Sequence, residues 1–328
     1  MRVLLSRTDR IGDLVLSTPA IATVRASFPE AHVTMVTGAY NRVVMERNDD
    51  VDELATLEPG VSAKHLGERF RGYDLAIALA PRQVDLRIIG ATHAMRRVGY
   101  TYRRRWWARL TAPLFVNSLM ISEADPYVSE KNPRLHVRHE VDQLLDLVAL
   151  SGARTRVSRL RLDVRDEDRA AVSDVPANAI VFHLGSRWFR DGSSLESSLA
   201  IVRGLAKLGL PVIVTCPAET LAYAASFEAL DGVSRVLRDL PFYPWAAVFE
   251  RAACVVTVDT GATHVASAVR RPTLVAFEHR YFELNSQEWS PYGVPNVLVR
   301  KPECDDPDAL ARFREEIIEG VVHLLERA

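Results

Sequence analysis

Short β-branched runs alternate with segments of helical period along the whole chain. Arg2 to Ser6 reads as a strand, the apolar positions that follow as a helix with Thr18 and Pro19 near its start, and His32 to Thr37 as the next strand. Further strands are predicted at Val51 to Leu57, at Tyr73 to Leu79 and around Arg97 to Tyr100. Val141, Leu144, Leu145, Val148 and Ala149 recur at helical spacing and predict an amphipathic helix over Arg138 to Leu150. The polar stretch Arg154 to Arg169 lacks a core pattern of helical length and reads as a linker. Alternation then restarts, with strands at Ala179 to Leu184, Pro211 to Cys216 and Val233 to Leu237. Helices at Ser194 to Leu208, Glu219 to Leu230 and Pro244 to Ala253 separate them and lead into the strand Val255 to Val258.

Two successive halves of this kind predict an α/β chain of two Rossmann-like domains facing a cleft, residues 1–155 and 156–328, with the last helix able to pack back on the first domain. The 328 residues are enough for two cores, and 48% hydrophobic with 25% charged residues is ordinary globular composition. A net charge of −1 argues against a general nucleic-acid binder. Cys216, Cys254 and Cys304 are far apart and suggest neither a disulfide framework nor a zinc site. The N-terminus is too short in apolar length for a signal peptide and no apolar run spans a bilayer, so a cytoplasmic protein is expected, with any membrane contact peripheral.

The densest chemistry lies in Val255 to Phe277, read as strand, turn, helix, strand. Thr260 is placed to cap the helix, Gly261 allows close backbone approach, and the first helical N–H groups form a ready anion site. Asp259 ends the strand as a sugar ligand or as a capping residue, and His264 is either a phosphate donor or packing. The first loop, Arg7 to Asp13, has one glycine where a nicotinamide site wants G-x-G-x-x-G. It offers instead Asp13, as a base or as a cap of the helix from Leu14 to Ser27, with Arg7 and Arg10 to hold an anion. His183 to Arg190 joins glycine, Ser186, Arg187 and Arg190 in one loop suited to a pyrophosphate or to solvent. Leu86 to Ser122 contains no acidic residue, while Arg103, Arg104 and Arg105 sit beside Trp106 and Trp107, an interfacial surface or a solvated face.

Arg10-Ile11-Gly12-Asp13 with Ser17-Thr18-Pro19-Ala20, together with Asp259-Thr260-Gly261-x-x-His264-x-Ala266, resembles the family 9 glycosyltransferases, the ADP-heptose:lipopolysaccharide heptosyltransferases. Tyr73-Asp74-Leu75, Arg97-Val98-Gly99-Tyr100, His139-Glu140-Val141 and Trp289-Ser290-Pro291-Tyr292-Gly293 also look like landmarks of that family. The resemblance implies a GT-B-type fold with the acceptor on the first domain and the donor nucleotide on the second. It implies Asp13 as the base of an inverting transfer that needs no metal or other cofactor. Donor contacts would come from Ser186, Arg187, Arg190, Asp259, Thr260, Gly261 and His264, with Glu219 at the ribose and Leu240 at adenine. The partners implied are a nucleotide sugar and an anionic glycolipid acceptor, met at the inner face of the membrane through Arg7, Arg10, Arg103, Arg104 and Arg105. Alternatives within this reading are another nucleotide sugar or acceptor, or a catalytically silent nucleotide-sugar-binding protein. The chain departs from the family at Arg190, where Lys is usual, at Gly192 in place of Trp, and at Glu278-His279-Arg280 in place of Gly-Pro-Thr.

Overall fold

The structure, a computed structural model, describes residues 1–123, 136–190 and 192–327, which fall into two compact units that meet between Asp163 and Val164. The first unit carries β1 (Arg2–Arg7), α1 (Ile11–Ser27), β2 (His32–Gly38), β3 (Glu53–Leu57), α2 (Ala63–Glu68), β4 (Leu75–Ala78), α3 (Gln83–Ala91), β5 (Arg96–Tyr102), α4 (Trp106–Thr111), β6 (Ser118–Ser122) and α5 (Glu140–Ala149). Its sheet is all parallel in the order β3-β2-β1-β4-β5-β6. Parallel strands are buried on both faces and therefore read as continuous apolar runs, as Val3-Leu4-Leu5 and Leu75-Ala76-Ile77-Ala78 do.

The second unit carries α6 (Asp166–Ala171), β7 (Ile180–His183), α7 (Leu195–Ala206), β8 (Val212–Cys216), α8 (Ala224–Glu228), β9 (Val233–Arg238), α9 (Phe242–Glu250), β10 (Cys254–Val258), α10 (Gly261–Ala268), β11 (Thr273–Phe277), α11 (Phe282–Glu288), β12 (Asn296–Arg300) and α12 (Pro307–Leu325). Its sheet, β12-β11-β10-β7-β8-β9, repeats the first order strand for strand. Each sheet thus has a topological switch point, between β1 and β4 in one and between β7 and β10 in the other. Ligands of open parallel sheets bind outside the carboxyl ends of strands at such points. The last helix, α12, packs on α7 and on β10 to β12 of its own unit, burying Phe313, Ile317, Val321 and Leu324.

Two sequence expectations change in the first unit. Helix α1 begins at Ile11, not Leu14, so Pro19 lies in its interior instead of its first turn. Proline cannot donate to the carbonyl four residues earlier. Thr18 replaces that bond, its hydroxyl donating to the Val15 carbonyl at 2.7 Å. The polar stretch after α5 is also not free chain up to the unit boundary. It runs back along α1, where Ser27 accepts from the N–H groups of Arg154 and Thr155, Thr23 from Val157 and Thr18 from Arg161. Three hydroxyls of one helix satisfy N–H groups of a strap that has no ladder of its own.

Candidate active site

In the first unit the candidate chemistry gathers where β1 and β4 end. Arg7, the last residue of β1, is buried, and three carboxylates surround its guanidinium: Asp9 at 3.1 Å, Asp13 at 3.3 Å and Glu140 at 2.9 Å. It also donates to the Leu79 carbonyl at 2.7 Å and to Ser17 at 3.2 Å. The expectation that Arg7 clamps an external anion is corrected by this geometry, since its donors are committed to protein acceptors out of reach of solvent. Arg10 is exposed at the N-cap position of α1 and stays open to a ligand.

Asp13 sits in the first turn of α1, three residues past the N-cap residue Arg10, so it is not the residue that caps the helix. Burial pushes its carboxyl up to about 7; Asp9 and Glu140 add to the rise, while Arg7 and Arg10 oppose it. A half-buried carboxylate with a pKa near neutrality has the chemistry a general base needs. Glu140 accepts on one oxygen from Arg7 and from the Tyr100 hydroxyl at 2.9 Å, and its other oxygen is buried without a hydrogen-bond partner. Asp85, raised to about 6 by burial, accepts from Ser6 at 2.7 Å and from the Thr8 N–H at 3.0 Å, pinning the loop that carries Asp9.

The second unit builds its cluster at the β7/β10 switch point. The loop after β7 is anchored by Trp188, which is fully buried, stacks on Phe182 and donates to the His183 carbonyl at 2.9 Å. That anchor leaves its neighbours Arg187 half-buried and Arg190 exposed. Arg187 donates to Asp259 at 2.5 Å and lies 3.8 Å from Glu278. The same Asp259 oxygen accepts from Asn285 at 3.1 Å. Arg187 therefore orients a carboxylate, which makes Arg190 the open cation of the loop. Glu219 reaches across from the end of β8 and accepts from the Ser186 N–H at 3.1 Å. Lys301, buried just past β12, donates to the carbonyls of Arg187 at 2.7 Å and of Arg190.

Thr260 is the residue before α10, as expected, but its hydroxyl bonds back to the Val258 carbonyl at 3.2 Å and caps nothing. Gly185 packs closely here, because a Cβ would lie 3.1 Å from Thr260 Cγ2 and 3.2 Å from Val258 Cγ2 and would press on both methyls. The loop after β7 and the start of α10 are thereby brought together. Gly261 opens α10 and His264 is buried in its first turns. Leu240 is half-buried between β9 and α9, also at the carboxyl edge of the sheet. Gly192 has φ +72, and a Cβ there would fall 2.2 Å from the Pro302 carbonyl oxygen, so the Trp of the family pattern has no room. Among the described residues, no group of three His, Cys, Asp or Glu side chains is arranged to hold a metal ion.

The model of glycosyltransferase family 9 (heptosyltransferase) matches residues 138–310, more than half of the chain. The chain belongs to glycosyltransferase family 9. Solved structures similar to this family 9 protein share its GT-B-type fold at low identity. A family 9 glycosyl transferase from Veillonella parvula is 18% identical with a TM-score of 0.80, over 100% of this chain and 97% of that one. The ADP-heptose lipopolysaccharide heptosyltransferase II of E. coli is 17% identical with a TM-score of 0.75, over 100% and 99%. The E. coli heptosyltransferase WaaC, solved with ADP, is 19% identical with a TM-score of 0.67, over 97% and 100%. Curated protein sequences give no significant match.

Sequence reading of this family 9 protein passed over Glu140, Asn285 and Lys301 as site residues. Glu140 carried a usable signal, because it lies in register with Leu144, Leu147 and Val148 on the buried face of α5. A carboxylate in that register needs a buried cation. Asn285 and Lys301 gave no such sign, since what they touch is set by chain remote in sequence.

Proposed function

We propose that this family 9 glycosyltransferase is an inverting heptosyltransferase that moves a heptose from ADP-heptose to a hydroxyl of a lipopolysaccharide core. The observation that carries the reading is Asp13, a half-buried carboxylate tuned to about 7 at the β1/β4 switch point of a family 9 chain. Asp13 takes the proton of the acceptor hydroxyl as that oxygen bonds to the anomeric carbon. The bond from that carbon to the diphosphate breaks, and its electron pair leaves with ADP. In this reading Arg190 and the uncapped N–H groups of α10 meet the departing diphosphate. Asp259, held by Arg187 and Asn285, faces the sugar hydroxyls, Glu219 the ribose and Leu240 the adenine.

The departures at Arg190, Gly192 and Glu278-His279-Arg280 favour a second reading, transfer of a different sugar by the same machinery. A panel of nucleotide sugars, assayed for release of the nucleoside diphosphate in the presence of heptose-free lipopolysaccharide, decides between them. ADP-heptose is expected to turn over, and Asp13→Asn to lower turnover by roughly 100-fold or more. A higher rate with another nucleotide sugar overturns the choice of donor. Thermal stabilisation by ADP-heptose with no transfer to any acceptor points to a silent binding protein.

A further inference from the structure

One buried cation serves three carboxylates in the first unit. The hydrogen bonds of the Arg7 guanidinium run through Nε to Asp9 at 3.1 Å, and through Nη1 to Glu140 at 2.9 Å, to Ser17 and to the Leu79 carbonyl. Toward Asp13 it keeps an ion pair from Nη2 at 3.3 Å, the longest of the three carboxylate contacts. Charge-assisted contacts strengthen as they shorten, so Asp13 holds the weakest share of this guanidinium. Both competitors are fixed by other elements. Glu140, on α5, also accepts from the Tyr100 hydroxyl of β5 at 2.9 Å, and Thr8, next to Asp9, donates its N–H and hydroxyl to Asp85 of α3. Buried ion pairs add little net stability, and Oε2 of Glu140 is buried without a hydrogen-bond partner, so packing does not account for a carboxylate there.

We infer that Asp9 and Glu140 are positioning residues that divide the charge of Arg7 and so leave Asp13 able to accept a proton, an inference that rests on the reading of Asp13 as the base. Given Arg7 to itself, Asp13 would form a forked, charge-assisted pair of the kind that keeps a carboxylate ionised and makes it a poor base. Without Arg7, the same pocket would hold acids and no buried cation. One guanidinium shared among three acids ties the loop after β1 to α5 and leaves the base its proton affinity. The charged groups around Asp13 are Arg7 on β1, Asp9 and Arg10 in the turn into α1, and Glu140 on α5. Tyr100 of β5 and Asp85 of α3 act one contact further out. Asp9 and Glu140 add to the rise that burial gives the Asp13 pKa, while Arg7 and Arg10 oppose it.

The test is the pH dependence of kcat/KM for transfer from ADP-heptose to heptose-free lipopolysaccharide, in wild type, Asp9→Asn, Glu140→Gln and Glu140→Asp. Each neutral variant gives Asp13 a larger share of Arg7 and should move the midpoint of the acid limb down by about one unit from its wild-type place near 7. The rate at about pH 5.5, relative to the plateau, then rises about eightfold, while the plateau falls by at most about tenfold. Glu140→Asp keeps the charge and should keep the midpoint. A part played only in holding α5 to the sheet would instead lower the rate equally at every pH. The carboxyl carbon NMR shift of Asp13, identified by its loss in Asp13→Asn, follows the same titration without turnover. Midpoints that fall by NMR in a protein that transfers no heptose support the division of Arg7 and overturn only the reading of the reaction. Midpoints unmoved or raised in both neutral variants overturn the inference, and Asp9→Asn, at a partly exposed side chain, decides it alone if Glu140→Gln does not fold.

Discussion

At the scale of single residues, Asp13 joins reactivity to instability. Its folded pKa of about 7 lies above the unfolded value of 3.8, so the folded state holds the proton more tightly between those limits. Stability contributed by the protonated form is thus present at low pH and is lost as pH rises through about 7, the reverse of an ordinary salt-bridged aspartate. In the proposed mechanism transfer runs the other way, since Asp13 must be ionised to act as the base, and its rate should climb with pH and level off above about 7. Asp13→Asn is expected to abolish that rise and to lose less stability than wild type between pH 5 and pH 8, a difference of a few kcal/mol at most. Urea midpoints at the two pH values check it, and a wild type as stable at pH 8 as the variant would refute the linkage. Arg190 makes a separate prediction. As the open cation of its loop, its replacement by Ala should weaken ADP binding by roughly 1.5 to 3 kcal/mol, which calorimetry measures directly. Asp259 was legible because it follows an apolar run at the end of a strand, and Asp13 because it lies in the turn from the first strand into the first helix. The division of roles between Arg187 and Arg190 was not, because nothing in His183 to Arg190 tells which guanidinium meets Asp259, 72 residues away.

At the scale of elements, Lys301 fastens the end of β12 to the loop after β7. Its replacement by Met would leave the carbonyls of Arg187 and Arg190 without that donor, at a cost of about 1–3 kcal/mol for each acceptor left unsatisfied. Lys301→Met is expected to lower the melting temperature and to weaken ADP binding together, whereas Arg190→Ala should weaken binding alone. A Lys301→Met protein with wild-type ADP affinity would show that the loop needs no such tie. The sequence pattern disclosed the central strands well, because β7, β8, β10 and β11 are buried on both faces and continuously apolar. It did not disclose β6 or β12. Both are end strands of their sheets, half-buried, with three consecutive apolar residues apiece. Helix α4 was visible only as its arginines and tryptophans, since a helix with nothing buried has no core-facing period to read.

At the scale of the whole molecule, each unit has its own core and its own switch point, so ligand effects should be local. Hydrogen exchange with ADP present is expected to slow at residues 185–190 and 260–263 and to leave residues 10–13 unchanged. Protection at Gly12 instead would exchange the donor and acceptor units. The two successive βα halves were readable from the alternation of their units, but the strand order and the strap along α1 were not, the strap because its bonds run to hydroxyls and leave no periodic trace. The ion pair between Arg7 and Glu140 spans 133 residues of chain, and this carries a consequence for synthesis. On the ribosome β1 emerges first, yet its guanidinium cannot be enclosed on these terms until α5 has been made, so the first sheet must wait half-assembled for most of its length. Nascent chains arrested before Glu140 should stay protease-sensitive, while a chain carried through Asp163 should resist.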